Sequence, residues 1–228
     1  MRLGGLLKNT ALDFPGNLSA AVFTQGCNFT CPYCHNPHLV RRFGEPVEEE
    51  TVMDFLRLRR PRLDGVVISG GEPTLQPDLS DFCKKLRGLG YEVKLDTNGS
   101  APGVVADLIE KKIVTYVALD LKADPAAYPP ELAPQNPGEA ILETIRLLKR
   151  SCLPHEFRTT AASPFINRES VAAIARAAAG NAPLFIQTYR PGNVLDQEFM
   201  AAHTQPEPAE LEELRLIASR HLPAAIRR

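Results

Sequence analysis

The chain has 228 residues, of which 44% are hydrophobic, and carries 26 Lys and Arg against 27 Asp and Glu for a net charge of −1. Such a length and composition suit one globular domain, and the balanced charge removes the electrostatic case for nucleic acid. No apolar run approaches a membrane span, and the Leu-rich start MRLGGLLKNTALDFPG has no small-residue cleavage site. The expectation is therefore a cytoplasmic enzyme with reduced thiols and no membrane contact.

In chain order, the first β-branched and aromatic run is Ala20–Thr24. It leads into QGCNFTCPYCHNP, where Cys27, Cys31 and Cys34 are spaced C-x3-C-x2-C. Three thiolates are one fewer than a closed tetrahedral site needs. A cubic [4Fe–4S] cluster held by them keeps one iron open to a further ligand. With His35 the same residues also make a Cys3His donor set for zinc, although no second ligand pair follows. Cys83 and Cys152 stand alone and read as buried small hydrophobes. The odd total of five cysteines argues against a disulfide framework.

A helix over Val47–Leu58 precedes a strand at Gly65–Ser69, which runs into Gly70, Gly71, Glu72 and Pro73. Next come a helix over Asp78–Leu89 and a strand at Glu92–Leu95, closed by Asp96, Thr97, Asn98 and Gly99. A helix over Gly103–Lys111 leads to a strand at Thr115–Leu119 and then Asp120, Leu121 and Lys122. Residues 124–138 hold five of the 20 prolines and read as a surface loop. In the helix Glu139–Arg150, Ile141, Ile145 and Leu148 share one face, while Glu143, Arg146 and Lys149 turn to solvent. A strand at Glu156–Thr160 contains Arg158. It is followed by a helix over Arg168–Ala179 and by a strand at Leu184–Thr188 that contains Gln187.

Six strand–helix units predict an α/β fold with a parallel sheet, and six are too few to close an eight-stranded barrel. The expected architecture is a single domain over 1–228: an open partial (β/α)6 barrel with a core at about 14–190 and a helical tail at about 205–228. Ligands of parallel α/β folds sit beyond the carboxyl ends of the strands, where these polar motifs fall.

The cysteine loop with Tyr33 before its last cysteine resembles that of the radical S-adenosylmethionine (SAM) enzymes. The runs DFPGN (Asp13–Asn17), ISGGEPTLQ, LDTNG, ALDLKA, EFRTT and RPGN (Arg190–Asn193) extend the resemblance over nearly the whole chain. Together they are similar to the activating protein of anaerobic ribonucleoside-triphosphate reductase, a glycyl-radical enzyme activase. The resemblance implies a [4Fe–4S] cluster on Cys27, Cys31 and Cys34, with SAM chelating the open iron. It places Tyr33 against the adenine and brings the backbone of Gly70 and Gly71 to the methionine amino group, with Glu72 bracing the turn. Asp120 and Lys122 would contact SAM, Arg158 would pair with its carboxylate, and Gln187 would meet the ribose or adenine. Asp96, Thr97, Asp120 and the Ala118 carbonyl match positions that hold a monovalent cation in pyruvate formate-lyase activating enzymes.

The implied partners are a separate glycyl-radical enzyme and an external electron donor such as flavodoxin, because no second set of cluster cysteines is present. Two other readings stay open: a small-molecule radical SAM enzyme similar to 7-carboxy-7-deazaguanine synthase, and a zinc- or cluster-bearing binding module.

Overall fold

The computed structural model describes residues 1–189 and 192–227. Arg190 and Pro191, the first half of RPGN, lie outside the described residues, as does Arg228. Eight strands belong to one sheet whose neighbours follow chain order. They are β1 (Leu3–Thr10), β2 (Ser19–Thr24), β3 (Gly65–Gly70), β4 (Glu92–Thr97), β5 (Tyr116–Asp120), β6 (His155–Thr160), β7 (Leu184–Gln187) and β8 (Ala224–Arg227). The helices are α1 (Pro37–Val40), α2 (Glu49–Arg59), α3 (Leu79–Gly88), α4 (Pro102–Glu110), α5 (Gly138–Arg150), α6 (Arg168–Ala178), α7 (Gln197–Ala201) and α8 (Pro208–Ala218). None of the described helices is long and apolar enough to cross a membrane.

The chain forms two compact units. The first comprises Met1–Asn28, His38–Thr97 and Gly103–Val117. In it β2, β3 and β4 pair in parallel, with Ala21 opposite Val67 and Val67 opposite Lys94. These three residues therefore share one face of the sheet. Phe14, Ala21 and Val67 form a buried cluster on which Phe23 and Tyr116 pack. Helix α3 buries Leu79, Phe82, Cys83 and Leu86.

The second unit comprises Phe29–Pro37, Asn98–Pro102 and the chain from Ala118 onward. Here β6, β7 and β8 pair in parallel. Helix α5 buries Ile141, Ile145 and Leu148 as its 3.6-residue period requires, each side chain contributing about 1.5–3 kcal/mol. Asn167 and Ser170 form a reciprocal capping box that starts α6 directly after β6 and its loop.

The predicted alternation of strand and helix is met, and the parallel pairing with it. The sequence reading overlooked both sheet edges. β1 pairs antiparallel with β2, and register shifts at Leu3/Gly5 and Leu7/Thr10 break its period-2 pattern. Its paired glycines hide it further. β8 is four residues long and half alanine. Residues 124–138 are not simply a surface loop, because Tyr128, Leu132 and Ala133 are buried. Their apolar side chains anchor a segment whose prolines deny it a ladder of its own. Cys83 is buried as expected, whereas Cys152 is exposed: it follows the last turn of α5, past the end of the apolar stripe.

Candidate functional site

In the first unit, β2 delivers the chain through Gln25 and Gly26 to Cys27. The Gly71 amide donates to the Thr24 carbonyl (2.9 Å) and the Glu72 amide to the Gly26 carbonyl (2.8 Å), so the turn after β3 lies directly on this path. Glycine is demanded at both turn positions. Gly70 has φ +114°, and a Cβ there would stand 2.3 Å from the Thr24 nitrogen. A Cβ on Gly71 would stand 2.1 Å from the Gly26 oxygen. Glu72 is fully buried. One of its carboxylate oxygens accepts from the Thr74 amide (3.1 Å), the Thr74 hydroxyl (2.6 Å) and the Thr97 hydroxyl (2.7 Å). Glu72 therefore braces the turn and ties it to the end of β4.

Asp96 and Thr97 lie within β4 itself, two residues further along the strand than the sequence suggested. Asp96 is paired from two positions back. The Lys94 ammonium lies 3.2 Å from its Oδ1, an ion pair whose angle falls outside hydrogen-bond geometry. Lys94 is itself completely buried.

In the second unit, the Cys34 amide donates to the Cys31 carbonyl (3.0 Å), which folds Cys31-Pro32-Tyr33-Cys34 into one tight turn. Two further strands of contact hold that turn. The Thr30 amide donates to the Leu132 carbonyl (2.8 Å), and the Asp196 amide donates to the Pro32 carbonyl (3.0 Å). Burial pushes the Cys31 thiol up to about 11, against the pull of the Lys122 ammonium, so a metal bound there displaces a proton. Tyr33 is buried among aromatic rings, 6.1 Å from Phe165 and 6.4 Å from Tyr189 between centroids. Burial raises its phenol well above the ordinary value. The Cys31 thiol bears on that titration, yet its hydroxyl has no partner of hydrogen-bonding geometry.

Asp120 ends β5 and Lys122 follows, both on one side of the chain, with Lys122 Nζ 3.3 Å from Asp120 Oδ2. Arg158, in the middle of β6, donates from Nε to Asp120 Oδ1 at 2.8 Å. Burial alone would raise the Asp120 carboxyl, but Arg158 and then Lys122 outweigh it and hold the group at about 2. Burial likewise works against the Lys122 ammonium, and Asp120 and the neighbouring thiols reverse it to a net rise. Lys122 is also fixed through its backbone, because its amide donates to the Tyr128 hydroxyl at 2.9 Å. Gln187 closes β7, and its carbonyl accepts from the Ala161 amide at 2.8 Å. Beside these loops lies a cavity of about 410 Å³ lined by Ala123, Asp124, Pro129, Pro164, Phe165 and Phe199 among others.

The assigned residues thus fall into two groups. Cys27, Gly70, Gly71, Glu72, Asp96 and Thr97 belong to the first unit, and Cys31, Tyr33, Cys34, Asp120, Lys122, Arg158 and Gln187 to the second. Among the described residues no three His, Cys, Asp or Glu side chains are drawn together as a ready single-ion site. Cys31, Cys34, Cys83 and Cys152 carry free thiols. Three soft donors in one irregular loop fit an iron–sulfur cluster. Sequence reasoning missed Lys94 and Tyr128. The signal for Lys94 was a lone lysine in phase with Asp96 in the strand EVKLDT.

Comparison with known proteins adds four findings. The model of the family described as the radical SAM superfamily matches residues 21–178. A Methanocaldococcus jannaschii protein, provisionally named a glycyl-radical enzyme activating enzyme, is 35% identical over 228 residues, covering 96% of this chain and 92% of that one. The pyruvate formate-lyase-activating enzyme of Clostridium pasteurianum is 37% identical over 118 residues, 49% of this chain and 48% of that one. Among solved structures, Streptococcus suis SuiB aligns with a TM-score of 0.67 at 16% identity, which shows a shared fold. The alignment covers 91% of this chain and 48% of SuiB.

Proposed function

The chain belongs to the radical SAM superfamily, and from that membership we propose that it is the activase of a glycyl-radical enzyme. As a radical SAM enzyme with the α/β partial-barrel core, it takes a [4Fe–4S] cluster and SAM as cofactors. Held by Cys27, Cys31 and Cys34, the cluster would supply the one electron needed for reductive cleavage of SAM and so for removal of one hydrogen atom from the substrate.

The full-length likeness to the M. jannaschii protein carries the activase reading, since it spans 96% of this chain, whereas the likeness to the C. pasteurianum activating enzyme covers 49% of it. The finer reading is that the partner is anaerobic ribonucleoside-triphosphate reductase and that an external reductant such as flavodoxin feeds the cluster. In this proposal Cys27, Cys31 and Cys34 hold the iron. Gly70, Gly71, Tyr33, Asp120, Lys122, Arg158 and Gln187 make the SAM pocket. Glu72 keeps the glycine turn in register with the chain entering Cys27, through its bonds to Thr74 and Thr97. Asp120 orients Lys122 and Arg158 by drawing both cations to one carboxylate. The cavity beside Phe165 and Phe199 offers room for a peptide segment of the partner.

The test mixes reconstituted protein, SAM, a reductant and the reductase subunit without oxygen and records electron paramagnetic resonance. A glycine-centred doublet that vanishes when the partner glycine becomes alanine supports the reading. If no glycyl-radical protein gives that doublet while a small metabolite stimulates SAM cleavage, the activase reading is wrong and a small-molecule enzyme replaces it.

A further inference from the structure

The resemblance placed a monovalent cation on Asp96, Thr97, Asp120 and the Ala118 carbonyl, but the structure gives the three side chains internal partners. In the first unit Asp96 faces the Lys94 ammonium at 3.2 Å. In the second, Asp120 holds Arg158 Nε at 2.8 Å and Lys122 Nζ at 3.3 Å. The Thr97 hydroxyl donates to Glu72 and keeps only its oxygen lone pairs for another partner, so the two carboxylates decide whether a cation fits.

Lys94 is the informative member. It has no exposed surface, and a buried ammonium persists only where its charge is compensated and its protons are bonded. Among the groups that do this are the following three. Asp96 lies on the same face of β4, two residues on. The Asp13 carbonyl accepts from Nζ. The Tyr116 ring presents its face with its centroid 5.7 Å away. A metal ion on Asp96 would share its ligand with a fixed positive charge. The donor set therefore does not fit an added cation.

We propose that Lys94 is the protein's own cation at this position, so that SAM binding does not draw on a monovalent metal ion. The inference rests on the SAM site but not on the identity of the partner enzyme. Lys94 is a positioning residue: it fixes the Asp96 carboxylate and the charge beside it.

The test compares potassium, sodium and choline chloride at equal ionic strength. SAM binding to the reconstituted protein, measured by equilibrium dialysis, is expected to agree within about twofold in the three salts. Lys94→Met is expected to bind SAM about tenfold more weakly in choline and to recover in potassium, a loss worth about 1.4 kcal/mol. The second arm follows thermal unfolding of the cluster-free chain. The wild type should show no potassium-specific change in Tm, and Lys94→Met should melt lower and be raised by potassium. If Lys94→Met fails to fold, Lys94→Met combined with Asp96→Asn removes both charges and should restore a potassium-indifferent Tm. A wild type that loses tenfold or more of its SAM affinity in choline overturns the proposal. So does a Lys94→Met protein with unchanged Tm and no cation response, or a double variant that stays unfolded. The unfolding arm uses neither SAM nor a partner, and it tests whether Lys94 fills the cation position even where the functional reading fails.

Discussion

The Thr97 hydroxyl donates to the Glu72 carboxylate at 2.7 Å, so the turn that follows β3 is latched to the last residue of β4. The same oxygen takes two more bonds from Thr74. An acidic side chain buried this completely is retained because three donors converge on one of its oxygens.

Replacing Glu72 with alanine leaves three buried donors without their acceptor, and stability should fall by about 3 kcal/mol. Glu72→Gln keeps one acceptor oxygen and should cost about 1 kcal/mol. Urea unfolding of both variants measures the difference. Equal losses would mean that the carboxylate is not the latch.

The glycine turn gives a sharper contrast. Gly71→Ala would put a Cβ 2.1 Å from the Gly26 oxygen, a backbone atom that cannot swing aside. The chain entering Cys27 must then shift, and iron uptake should fall along with stability. Gly103→Ala, at an exposed position of α4 with nothing within 4 Å of the added Cβ, should instead stabilise by up to about 1 kcal/mol. Iron content and melting temperature of the two variants settle whether close backbone approach is what selects glycine at 71.

Much of this was legible in the sequence. The cysteine spacing, the GGEP turn and the strand-ending DLK each follow the strand expected to carry them, because parallel strands put their chemistry at carboxyl ends. What escaped is long-range pairing. Nothing local in EVKLDT says that Lys94 is buried with Asp13 and Tyr116, since those partners lie 81 and 22 residues away. Nor does a proline-rich stretch announce that Tyr128 and Leu132 will hold other loops, because breaker residues exclude helix and strand without excluding burial. Arg158 was expected to serve a ligand carboxylate. In the structure it already serves Asp120.

Cys27→Ala, Cys31→Ala and Cys34→Ala should each abolish the iron–sulfur absorbance of anaerobically reconstituted protein. Cys152→Ser should change neither iron content nor stability, because the residue is exposed. Cys83→Ser should keep full iron content and lose about 1–3 kcal/mol, since it buries a hydroxyl where burial already holds the thiol up to about 12. Iron loss in Cys83→Ser at native stability would point to a ligand outside the loop.

Asp120 predicts a pH signature. Its carboxyl is held at about 2 in the folded protein, chiefly by Arg158 against the cost of burial. A depressed carboxylate contributes stability above its unfolded value near 4 and loses it as the pH falls toward about 2. The side chain keeps 27% of its surface, so solvent screening limits the contribution to about 1–2 kcal/mol. Arg158→Met should therefore be destabilised most at neutral pH, with the gap to wild type narrowing toward pH of about 2. A gap that stays constant across that range would separate the arginine from the Asp120 titration.

Tyr128 carries the last prediction, because it joins a proline-rich loop to Lys122. Its hydroxyl accepts from the Lys122 amide at 2.9 Å, and its ring packs 5.6 Å from that of Phe29, two residues after Cys27 but in the second unit with Cys31. Tyr128→Phe keeps the ring contact and removes the acceptor, leaving a buried amide unmatched at a cost of about 1–2 kcal/mol. The cysteine turn is untouched, so iron content should equal that of the wild type. Lys122 loses its backbone anchor, and if it contacts SAM as assigned, SAM affinity should fall by about threefold to tenfold. Tyr128→Leu removes the ring as well and should lower both iron content and SAM affinity. Unchanged SAM affinity in Tyr128→Phe, with the stability loss present, would show that the tyrosine supports the fold and that Lys122 does not need it to meet its ligand.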